Sequence, residues 1–66
     1  MLTEKDIWRA AALMLKRYGS GAVAESEKRA SELDAAGDPD GTATWRRIAR
    51  AAEELARAEP ADGVLN

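Results

Sequence analysis

The stretch AGDPDGTATWRRIARAAEELAR runs from Ala36 to Arg57. Gly37 suits the left-handed position that closes a helix. Asp38, Pro39 and Asp40 then read as the N-cap, N1 and N2 of the next helix, because carboxylates favour the positive end of a helix dipole and proline's fixed φ is a helical value. At about 100° per residue, Gly41, Trp45, Ile48, Ala49, Ala52, Leu55 and Ala56 fall in one arc, with Arg46, Arg47, Arg50, Glu53, Glu54 and Arg57 opposite. One helix therefore ends at this turn and an amphipathic helix follows. Working outward, Thr3 and Asp6 form a capping box for a first helix, which closes with Lys16 and Arg17 at its negative end and Gly19 after Tyr18. Ser20 is the expected N-cap of the second helix. The reading predicts helices over about 4–18, 21–36 and 39–58, stopped by Pro60, and a frayed tail over 60–66. Both connections are short, so neighbours run antiparallel. The expected fold is all-α, a compact three-helix domain over residues 1–59.

Composition supports that class. Fifteen of 66 residues are Ala, the best helix former, whereas the seven β-branched residues are too scattered for a sheet. The absence of Cys and His excludes disulfides, thiolate metal sites and the usual general base. Ten cations against twelve acids leave the chain at −2. The longest apolar run, Ala10 to Leu15, has six residues, against the roughly 20 needed to cross a bilayer. A cytoplasmic protein without a membrane role is expected. Helix 1 has the widest apolar side, Ile7, Ala11, Met14, Leu15 and Tyr18 with Trp8 and Ala12 beside them. Helix 2 has only a narrow stripe, Val23, Ala30 and Leu33 with Ser26, and is expected to lie outside the others.

Arg46, Arg47 and Arg50 are the candidate nucleic-acid surface, since arginines on a helix grip phosphates and read guanine edges. Charge argues against it. From Asp38 to Ala58 four arginines face four carboxylates, and Glu53 and Glu54 would meet the same phosphates. Glu53 with Arg57 and Arg50 with Glu54 read instead as ordinary i, i+4 surface partners. The acids at Glu25 and Glu27, and at Glu53 and Glu54, point in different directions. Asp38 and Asp40 are accounted for by the helix start. No catalytic, cofactor-binding or metal-ligating set is assigned, and no small-molecule ligand is indicated.

Trp8 and Leu13 are the candidate interaction surface. Trp8 lies at the edge of the helix 1 stripe, and Leu13 falls among Arg9, Asp6 and Arg17 on the polar side. Exposed apolar side chains in a chain short of core point to a contact.

Trp8, the Tyr18 and Gly19 helix end, the Ala36, Gly37 and Asp38 turn, Gly41, and Trp45 with Ile48 and Ala49 together resemble a family of small all-helical bacterial proteins of unknown function. The resemblance covers about residues 7 to 56. It implies an all-helical fold and supplies no activity. Where that family carries larger apolar residues in helix 2, this chain has Glu25, Ser26, Glu27 and Ala30.

The functional expectation is a non-enzymatic protein-interaction or regulatory module that self-associates through helix 1. One alternative is a small nucleic-acid-binding protein using helix 3. A further alternative is an accessory subunit whose chemistry belongs to an enzyme partner.

Overall fold

A computed structural model describes residues 2–65, with side chains for residues 2–58. The element order is α1 (Glu4–Tyr18), a single 3-10 turn (Gly19–Gly21), α2 (Ala22–Ala35) and α3 (Pro39–Leu65), with no strand among the described residues. The all-α expectation holds. The expected count of three separate helices is corrected at the first connection. Helical backbone continues without a gap from Glu4 to Ala35, giving two unbroken runs, the second starting at Pro39. A 3-10 turn can join two α-helices because its tighter i to i+3 bonds carry the hydrogen bonding through the connection.

Within the first run the chain changes direction at Gly19, whose φ of 56° and ψ of −128° lie outside the space of residues carrying a Cβ. Its N–H donates to the Leu15 carbonyl. The expected cap on the next helix is not formed. Ser20 lies within the 3-10 turn, Gly21 occupies the N-cap position of α2, and no side chain caps it.

The α1 start follows the expectation. Thr3 Oγ1 accepts from the Asp6 N–H at 3.2 Å, and the Asp6 carboxylate accepts from the Thr3 N–H at 3.1 Å. At the other corner Gly37 has φ of 81°. Its N–H donates to the Asp34 carbonyl, and the Asp38 N–H donates to the Leu33 carbonyl at 2.9 Å. This pair of bonds is a Schellman motif. Asp38 also caps α3, its Oδ1 accepting from the Gly41 N–H at 3.0 Å and its carbonyl accepting from the Thr42 N–H and hydroxyl. One residue thus ends α2 and begins α3.

The α3 backbone passes through Pro60 rather than stopping there. Proline costs the helix one N–H, but its φ is a helical value. The expected tail over 60–66 lies outside the residues described with side chains.

Helix α3 is the hub, and the contact between α2 and α3 is the most extensive in the molecule. Contact between α1 and α3 comes next, and α1 touches α2 least. The expected peripheral position of helix 2 is therefore corrected. Ala22, Ser26 and Ala30, at i, i+4 and i+8, are all buried, and small side chains there let the α2 backbone approach closely. The main buried cluster joins Ile7, Ala11 and Met14 of α1 with Ala22 of α2 and Ile48, Ala51 and Ala52 of α3. Trp45, read from the stripe as a core residue, is only half-buried and packs against the edge of this cluster.

Candidate functional site

Helices α1 and α3 leave a shallow groove of about 400 Å³ between them, lined by Glu4, Ile7 and Trp8 from the first and Arg47, Arg50, Ala51 and Glu54 from the second. Trp8 and Glu4 are one helical turn apart and so share a flank of α1. Arg47, Arg50 and Glu54 are related on α3 by i+3 and i+4 steps in the same way. The capping box sets where α1 begins, and the Asp38 cap sets the start of α3. Ile7 and Ala51 are buried and form the groove's apolar floor. Two cations and two carboxylates balance its rim.

The structure thus brings Trp8 beside two of the three candidate arginines. Arg46 does not line the groove. Leu13 does not join Trp8 either: five positions along a helix place it about 140° away. It is the most exposed large apolar side chain described, at 57%, while Trp8 is 37% exposed. The two candidate contact residues therefore occupy separate parts of the α1 surface.

The expected surface ion pairs are rearranged. Arg57 pairs with Glu54 at 3.6 Å, an i, i+3 pair, rather than with Glu53. Arg50 makes no ion pair among the described residues, leaving its guanidinium at the groove. Arg47 also borders a second depression, with Leu2, Asp38 and Asp40.

One arrangement was not legible in the sequence. Arg29 of α2 forms an ion pair with Glu25 at 3.5 Å and donates to the Tyr18 hydroxyl at 3.0 Å. Its guanidinium carbon lies 5.1 Å from the centre of the Trp45 ring and 6.0 Å from that of Tyr18, within cation–π range. It ties α1, α2 and α3 together on one side of the domain. The i, i+4 spacing of Glu25 and Arg29 was the available signal, but the two aromatic partners come from other helices.

The Asp6 carboxyl is held below the ordinary carboxylate range, first because it accepts the Thr3 backbone N–H and then through the Thr3 hydroxyl. That shift reports the cap and not a reactive site. No helix among the described residues is long and apolar enough to cross a membrane. The chain matches no protein-family model, no curated protein and no solved structure.

Proposed function

We propose that this chain is a non-enzymatic, cytoplasmic protein-interaction module, an all-α unit whose contact surface is the outward side of α1. The observation that carries the reading is the exposure of Leu13, 57%, in a domain whose buried cluster is four-sevenths alanine. A small core makes an exposed leucine costly to leave unused, because burying one contributes about 1.5 to 3 kcal/mol. The test is recovery of the tagged protein from its native cells beside a Leu13→Glu variant of equal helicity. A partner retained by the wild type and lost by the variant supports the reading. Identical recovery with both chains counts against it.

The groove favours a second reading, nucleic-acid binding through Arg47 and Arg50 with Trp8 available for stacking. Glu4 and Glu54 on the same rim weigh against phosphate. Titration with labelled single-stranded nucleic acid separates the two readings: binding whose affinity falls steeply with added salt supports the second, and no binding at low salt overturns it. A role as accessory subunit to an enzyme is a special case of the first reading.

A further inference from the structure

We propose that the partner of α1 is a second copy of this chain, docked about a two-fold axis so that α1 of each protomer lies on α2 of the other. This rests on the interaction reading above and names its occupant.

Charge is the first argument. Helix α1 carries Lys5, Arg9, Lys16 and Arg17 against Glu4 and Asp6, a net +2, and α2 carries Glu25, Glu27, Glu32 and Asp34 against Lys28 and Arg29, a net −2. Most of these charges form no ion pair within the protomer. The ion pairs among the described residues are Glu25 with Arg29 and Glu54 with Arg57. That leaves all four α1 cations, and Glu27, Glu32 and Asp34 of α2, without an ionic partner. All seven of these side chains are exposed.

Symmetry selects the arrangement. In a two-fold dimer, placing α1 on the partner's α2 also places α2 on the partner's α1. A +2 helix and a −2 helix satisfy both contacts together, whereas α1 on its own copy would oppose like charges.

Shape agrees. Leu13 projects from α1 between Arg9 and Lys16. The outward side of α2 offers Ala24, Ser31 and Ala35, all exposed and small enough to admit a leucine, with Glu27 and Asp34 along one edge. Helices of 15 and 14 residues are about 21 to 23 Å long. A face two helices wide then buries about 1,000 Å² in total, the low end for a specific contact.

The test is sedimentation of the whole chain from 1 to about 100 μM at low and high salt, with two charge-reversed variants checked for helicity. Wild type should pass from monomer to dimer, and high salt should weaken it at least several-fold. The pair Arg9→Glu with Lys16→Glu, and the pair Glu27→Lys with Asp34→Lys, should each be monomeric alone. Mixed in equal amounts, they should form a heterodimer. If either double variant loses helicity, the singles Arg9→Glu and Glu27→Lys repeat the experiment. Wild type that stays monomeric throughout overturns the proposal, as does a dimer whose two reversed variants fail to recover association when mixed. In either case Leu13→Glu recovery still tests the interaction reading separately.

Discussion

Ser26 is completely buried, and its hydroxyl has no hydrogen-bond partner among the described residues. Such a group forfeits its hydration, at a cost of about 1 to 3 kcal/mol. Ser26→Ala keeps the small volume the α2 and α3 contact requires and improves helix propensity. Its melting temperature should rise by about 4 to 8 °C for each kcal/mol gained in a domain this size. A fall in the melt would show that the hydroxyl is satisfied. Gly41 behaves differently. A Cβ there would meet Asp38 Oδ2 at 2.7 Å and Leu33 Cδ1 at 2.9 Å, so alanine has to displace the carboxylate that caps α3. The arc of α3 pointed to close packing at Gly41, but only the tertiary structure reveals that its neighbours are Leu33 of α2 and its own cap. Gly41→Ala should therefore stabilise the Asp38→Ala background more than the wild type, with a coupling of about 1 kcal/mol, the worth of a typical N-cap. Additive melts in the double-mutant cycle would refute it.

Helix ends account for most of what was legible at the level of elements. Thr3 with Asp6, and Asp38 with Pro39, act through residues three or fewer positions apart, so local sequence specifies them. Asp6 has a lowered pKa in the folded chain; the stabilisation it gives is complete above its unfolded value, about 3.9, and disappears as pH falls through the folded value. The melting temperature of Asp6→Asn should lie below wild type at pH 6, and the gap should close below about pH 4. A gap independent of pH would assign the effect to something other than the carboxylate. The two corners make a second comparison. Gly37 holds the left-handed position of a Schellman motif, which asparagine tolerates, so Gly37→Asn should melt higher than Gly37→Ala. Gly19 has ψ of −128°, outside the left-handed helical well, and asparagine should give no such relief there. Equal rescue at both glycines, read by thermal melts, would contradict this. Ser20 was misread because the cap position depends on where α2 begins, and the 3-10 turn puts that start at Ala22 and the N-cap at Gly21.

At the scale of the whole molecule, Arg29 touches partners on α1, α2 and α3. Arg29→Met keeps an apolar stem but removes the Tyr18 hydrogen bond, the Glu25 pair and the contact with Trp45. It should lower the melting temperature by several degrees, whereas Arg57→Met, which removes an exposed pair, should move it by no more than the error of the melt, exposed pairs contributing about 0 to 1 kcal/mol. Equal effects would deny Arg29 its bridging role. The groove was half legible: an amphipathic wheel placed Trp8 at the edge of one stripe and Arg47 and Arg50 opposite another, but no wheel gives the angle at which two helices meet. By itself the sequence determined the all-α class, the capped starts of α1 and α3 and the glycine turns, because alanine content, caps and positive φ act within a few residues. Only the tertiary structure decided that α3 is the hub, that Trp8 faces arginines and that Arg29 lies near two aromatic rings. Those outcomes depend on which helix faces approach across the domain, and small side chains such as Ala22, Ser26 and Ala30 permit a close approach without naming the partner.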